Sequence, residues 1–174
     1  MTNRNLYQKV KKGIRKVLLS GLTGLALSGC NDGLNNHPNR QISVYPGELE
    51  YSNGTELKSE GFATCSVLIL DYRNSAVMGH AIRVNDDDNL IDEGKVVDAA
   101  TKKLEDEGIN PIESEAIVDA GSKSSYDKIL ADLNKRRIKI RSASYALDSA
   151  PRVVDISYNP VNNRLIVRKI GNSQ

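Results

Sequence analysis

Two adjacent apolar segments near the middle of the chain constrain its fold more than any other feature. Residues 64–70 are apolar and β-branched, residues 71–74 supply turn-forming side chains, and residues 75–82 are again apolar. Short apolar runs separated by a turn of this length are typical of paired antiparallel strands. The sequence therefore predicts a β-hairpin here.

Helices and strands are predicted after this hairpin. Residues 92–107 carry apolar side chains at helical spacing behind Asp92, a possible N-cap. A strand is expected at residues 112–120, and a second helix follows a cap at Ser122 or Ser124. Three further strands are predicted at residues 138–147, 152–158 and 164–170. The pattern indicates an α/β (α+β) fold, a layered sandwich of mixed, largely antiparallel sheet with two or more helices packed on it.

Charge and composition exclude several classes of protein. Residues 1–29 contain six Lys and Arg and no acid, so without them the formal net charge falls from +2 to −4. A nucleic-acid-binding domain keeps a basic surface, so nucleic acid is not an expected partner. The two cysteines and two histidines lack the spacing of a zinc site, and the acidic run 85–89 lacks the ligand pattern of a calcium loop. We therefore expect neither a metal nor an organic cofactor.

The N-terminus has the features of a bacterial lipoprotein leader. Residues 1–29 combine a basic start with an apolar run too short to span a bilayer, and they end in Leu-Ser-Gly before Cys30. This order predicts a signal peptide at 1–29, a lipid on Cys30, a polar tether at 30–40 and one folded domain at 41–174. The alternative is a first core helix with an incidental cysteine.

Cys65 and His80 form a candidate catalytic pair within the predicted hairpin. A residue early in one strand faces a residue late in the returning strand, so a separation of 15 positions can bring thiol and imidazole together. An imidazole within hydrogen-bond reach can generate the thiolate nucleophile and later protonate a leaving amine, which suits amide hydrolysis. The alternative is a small buried cysteine beside an unrelated histidine.

At this hairpin the sequence resembles the CheD family of chemoreceptor glutamine deamidases. In that family the catalytic cysteine opens an apolar strand and the histidine ends the returning one. Residues 115–121 are similar to the family's strand before a glycine turn, and residues 157–171 to its closing hairpin. The cytotoxic necrotizing factor catalytic domains look related, and so do the N-terminal asparagine amidases, whose segment before the nucleophile is similar to residues 59–65. The sequence departs from the CheD pattern at residues 63–64, 83–84 and 120.

The resemblance implies a site and an activity. Cys65 would be the nucleophile and His80 the acid/base, while Ser59 occupies the position of a threonine hydroxyl that orients the histidine. The implied reaction is deamidation of a protein glutamine side chain by a lipid-anchored enzyme of the bacterial cell envelope. Alternatives are an N-terminal asparagine amidase, acyl transfer to an amine, or a non-catalytic binding module. CheD substrates are cytoplasmic, so the leader implies a partner protein in the envelope, or in a host cell after secretion or delivery.

Overall fold

A computed structural model shows two facing β-sheets with helices on the outer side of one of them. It describes residues 41–62, 64–83, 90–146 and 153–170. The strands are β1 Gln41–Ser43, β2 Leu49–Asn53, β3 Glu56–Phe62, β4 Ser66–Tyr72, β5 Ser75–Ala81, β6 Glu115–Ala120, β7 Lys139–Tyr145, β8 Val153–Asn159 and β9 Arg164–Ile170. The helices are α1 Val96–Asp106 and α2 Lys123–Lys135, with a 3-10 turn at Pro111–Glu113. The expected fold class is confirmed: two helices pack against mixed, largely antiparallel sheets that do not close into a barrel.

The predicted hairpin forms the centre of a five-stranded sheet of order β2-β5-β4-β6-β7. β4 and β5 pair antiparallel from Ser66 opposite Ala81 to Tyr72 opposite Ser75. Arg73 in the turn has a left-handed φ of 53°. Nearly every residue of the two strands is buried, because the sheet is covered on both faces. That double burial explains why the hairpin reads as two continuous apolar runs.

The second sheet has four strands in the order β1-β3-β8-β9 and covers one face of the first. Its inward side chains alternate with charged outward ones, as expected for a sheet with one face in solvent. The core between the sheets includes Leu57, Val67, Ile69, Met78, Ile156 and Tyr158.

Helices α1 and α2 cover the opposite face of the five-stranded sheet. Their buried apolar side chains contact the alternate residues of β4 to β6, forming a second core. Ser122 caps α2, since its Oγ accepts the Ser125 N–H at 3.1 Å, which confirms one of the two predicted caps. The Asp92 cap prediction is wrong: Asp92 accepts the Gly94 N–H at 2.6 Å in a turn, and α1 begins later, after Lys95.

One strand prediction needs correction, and three strands were not predicted. Strand β6 begins at Glu115, because Pro111–Glu113 form a 3-10 turn that the Asn110 side chain caps through the Ile112 N–H. No strand was predicted at β1, β2 or β3, so β2 of the first sheet and two strands of the second were missed, whereas the predicted closing strands form β8 and β9 of the second sheet. Residues 147 and 152, at the ends of predicted strands, lie outside the described residues.

Candidate functional site

Cys65 and His80 lie on the same face of the five-stranded sheet. Val67 of β4 is directly opposite His80 of β5, and Cys65 precedes Val67 by two positions. Side chains two apart in a strand share a face, so Cys65 is the diagonal neighbour of His80, within reach across the strand pair. His80 is fully buried between the sheets, whereas Cys65, immediately before β4, is partly exposed. The buried imidazole of His80 and the accessible thiol of Cys65 are therefore neighbours.

Ser59 reaches His80 from the other sheet. It lies on β3, is fully buried, and places its Oγ 2.7 Å from His80 Nδ1. The backbone of His80 is also held, since its N–H donates to Glu48 O at 3.0 Å and its carbonyl accepts the Gly47 N–H at 2.7 Å. The orientation of the imidazole is thus set by contacts from two directions.

Burial keeps both members of the pair neutral at rest. Burial lowers the pKa of His80 to about 4, although a hydrogen bond with the Val44 backbone opposes part of this shift. Burial also raises the pKa of Cys65, and the negative charge of Glu93 raises it further. The thiol is therefore protonated at neutral pH. A thiol and an imidazole in this state can act together only by general-base catalysis, in which the thiolate forms as its proton passes to the imidazole.

Gly121 allows the turn after β6 to lie against the peptide that carries the thiol. A Cβ on Gly121 would lie 2.1 Å from the Thr64 carbonyl oxygen and 2.7 Å from the Cys65 carbonyl oxygen. Any side chain at this position would collide with the backbone. The glycine is required for close approach, and the turn after β6 thus contacts the backbone of the candidate nucleophile.

A buried carboxylate flanks the pair on the other side of β4. Asp119 of β6 is directly opposite Val67, so His80 and Asp119 lie on the two strands that border the Cys65 strand. Asp119 accepts a hydrogen bond from Ser144 of β7 at 2.8 Å. The side chains of Asp119 and Ser144 line a cavity of about 60 Å³ between the sheets. The other lining residues are mostly apolar: Val67, Ile69, Ile117, Val118, Ser142, Ile156, Leu165 and Val167.

The sequence predicted part of this constellation. Cys65, His80 and Ser59 were predicted, and the structure brings Ser59 to His80 and places Cys65 beside it. Asp119 and Glu93 were missed, because isolated acidic residues carry no signal until strand register gives them neighbours. Cys30, the predicted lipidation site, lies outside the described residues.

The described residues contain no group of three or more His, Cys, Asp and Glu side chains placed to hold a metal ion. Within the same residues, no helix has the length and apolar character needed to cross a membrane.

Comparison with known proteins adds no assignment to this geometry. No protein-family model matches the chain, and no curated protein matches it.

Proposed function

We propose that the protein is a cysteine-dependent amidohydrolase that converts a glutamine side chain of a protein substrate to glutamate and releases ammonia. The observation that supports this proposal most is the placement of His80 beside Cys65, with Ser59 hydrogen-bonded to the imidazole ring of His80. Together these groups provide a nucleophile, a base and a residue that orients the base.

The reaction begins from the neutral pair. His80 takes the proton of Cys65 as the sulfur attacks the amide carbon, giving a tetrahedral oxyanion that backbone N–H groups near the nucleophile would stabilise. The carbon–nitrogen bond then breaks, and the proton on His80 passes to the departing ammonia. Water, deprotonated by His80, attacks the thioester and releases glutamate, and the proton returns to the sulfur. No cofactor takes part in this sequence.

Mass spectrometry tests the proposal directly. The folded domain, residues 41–174, is incubated with envelope proteins of the same cell and with candidate host proteins. Conversion of an internal glutamine to glutamate, lost in Cys65→Ala, is the expected result. Conversion of an N-terminal asparagine would assign the amidase alternative, and linkage of an amine would assign acyl transfer. No modification of any protein would favour a binding module.

We also propose that a lipid on Cys30 anchors the protein in the bacterial envelope after removal of residues 1–29. A tether of about ten residues reaches at most roughly 35 Å, so the substrate would lie near the membrane surface. Metabolic labelling with a fatty acid should label the wild type and leave Cys30→Ser unlabelled. Label that persists in Cys30→Ser, or a mature chain that still begins at Met1, would contradict this prediction.

A further inference from the structure

Glu93 is a buried carboxylate on the helix side of the strand that carries Cys65. Only 6% of the residue is exposed. Its Oε1 accepts a hydrogen bond from Ser66 Oγ at 2.7 Å, and its Oε2 accepts one from Ser125 Oγ at 2.5 Å. A buried carboxylate is costly unless hydrogen bonds satisfy it, so these two hydroxyl groups fix where Glu93 lies.

A chain of hydrogen bonds connects Glu93, through Ser66, to the turn that lies against the backbone of Cys65. Ser66 follows Cys65 directly, and its Oγ accepts the Gly121 N–H at 3.1 Å. Gly121 is the residue whose backbone lies against the carbonyl groups of Thr64 and Cys65. Glu93 therefore holds Ser66, and Ser66 holds the turn that packs on the nucleophile.

The backbone of Glu93 is tied to the strand that carries His80. Its N–H donates to the Ile82 carbonyl at 3.1 Å, and Ile82 is two residues beyond His80. Continuing the register from Ser66 opposite Ala81 places Ile82 opposite Cys65. Glu93 thus connects the two catalytic strands at the position of the thiol.

We propose that Glu93 is a positioning residue for Cys65, holding the start of β4 against both the end of β5 and the Gly121 turn. The role in catalysis rests on the proposed function. Glu93 acts from the face opposite to the thiol, through Ser66 and the backbone. Its negative charge disfavours the thiolate, so the resting thiol stays protonated until His80 accepts the proton during attack.

Alkylation of Cys65 by iodoacetamide as a function of pH tests the proposal without any substrate. The full chain is compared with Glu93→Gln and Ser66→Ala, with Glu113→Gln as the control at an exposed glutamate. Glu93→Gln should move the alkylation curve to lower pH, with about tenfold faster reaction at neutral pH for each unit of displacement. Ser66→Ala keeps the carboxylate and should not move the curve to lower pH.

Kinetics on a glutamine substrate test the positioning itself. Glu93→Gln and Ser66→Ala should each lower kcat about 10- to 100-fold with little change in KM, because the nucleophile is displaced and not the substrate. Glu113→Gln should retain the wild-type kcat. If Glu93→Gln does not fold, Ser66→Ala alone decides the kinetic part.

Two outcomes would overturn the role of Glu93. One is an alkylation curve of folded Glu93→Gln that coincides with those of the wild type and Glu113→Gln. The other is a wild-type kcat in Ser66→Ala. A wild-type protein without deamidase activity would overturn the proposed function instead, and the alkylation result would still report on Glu93.

Discussion

Each of the three central side chains has a different environment. His80 is enclosed between the sheets, Ser59 is buried and hydrogen-bonded to His80, and Cys65 is partly exposed. This arrangement predicts three different losses of activity when the side chains are removed one at a time.

Replacement of the three residues should give graded effects on ammonia release. Cys65→Ala leaves no nucleophile and should abolish the reaction, and His80→Ala should slow it at least about 100-fold, the usual minimum for a positioned acid/base. Ser59→Ala removes one hydrogen bond, worth about 1 kcal/mol, and should cost only about fivefold. Ser157→Ala, on the outer face of β8, is the matched serine control. Full activity in both Cys65→Ala and His80→Ala on a confirmed substrate would refute the site.

The low pKa of His80 predicts activity in acid. The base form is neutral imidazole, and with a pKa of about 4 it should persist well below pH 6. We expect kcat/KM to be constant from pH 7 to about 5 and to halve near pH 4. A fall in kcat/KM centred near pH 6.5, the ordinary pKa of histidine, would contradict the buried environment of His80.

The same group should make folding depend on pH. Because the pKa of His80 is lower in the folded state, its contribution is fully present above pH 6.5 and is lost as pH falls to about 4. The loss should be roughly 3 kcal/mol in the free energy of unfolding. Urea unfolding at pH 7 and 4.5 measures it, and His80→Gln should show a weaker dependence.

At the scale of elements, the turn at Gly121 lies against the backbone just before β4. Gly121→Ala should lower the free energy of unfolding by about 3 kcal/mol and displace the thiol, because the new Cβ meets a backbone carbonyl. Gly108→Ala is the control: its φ of 75° costs about 1 kcal/mol, and nothing lies within 4 Å of the added atom. Thermal melts and kcat should separate the two variants, and equal kcat values would refute the contact.

The β4–β5 hairpin was predictable from the sequence and strand β3 of the second sheet was not, for one physical reason. β4 and β5 are buried on both faces, so every residue contributes an apolar signal. β3 is covered on one face and contains Glu56, Lys58 and Glu60 between its inward residues, which weakens the signal. The approach of Ser59 to His80 depends on how one sheet lies on the other. Only the family resemblance indicated it, because no local pattern encodes a contact between sheets.

At the scale of the whole molecule, a polar cluster joins the two sheets away from Cys65. Tyr158 of β8 is fully buried, and its hydroxyl donates to Asn163 Oδ1 at 3.0 Å. Arg141 of β7 donates to Tyr158 Oη at 3.4 Å and to Asp71 Oδ2 of β4 at 3.5 Å. Burial, and then the neighbouring Asp71, raise the pKa of Tyr158.

Loss of the Tyr158 hydroxyl should destabilise the sandwich without affecting the chemistry. Tyr158→Phe removes the hydrogen bonds that the buried hydroxyl makes with Asn163 and Arg141 and should cost about 1 kcal/mol, while Tyr45→Phe, at a side chain in solvent, should cost nothing. Because the pKa of Tyr158 is raised in the folded state, its contribution to stability is complete below pH 10 and is lost as pH rises beyond that value. Denaturant titrations at pH 8 and 10.5 test both statements. Equal stability of the two variants would contradict the first.

The contact between Ser59 and His80 joins residues of different sheets, and this has a consequence for how the protein can vary. The orientation of the imidazole depends on how the two sheets are aligned, because its hydrogen-bond partner lies on the other sheet. A substitution in the apolar interior that slides one layer over the other would change the orientation of the base, however far it is from the thiol. Under the proposed function, packing of the interior would therefore be coupled to the rate of deamidation. We then expect activity to survive an exchange of interior side chains only where the exchange preserves the relative position of the two sheets.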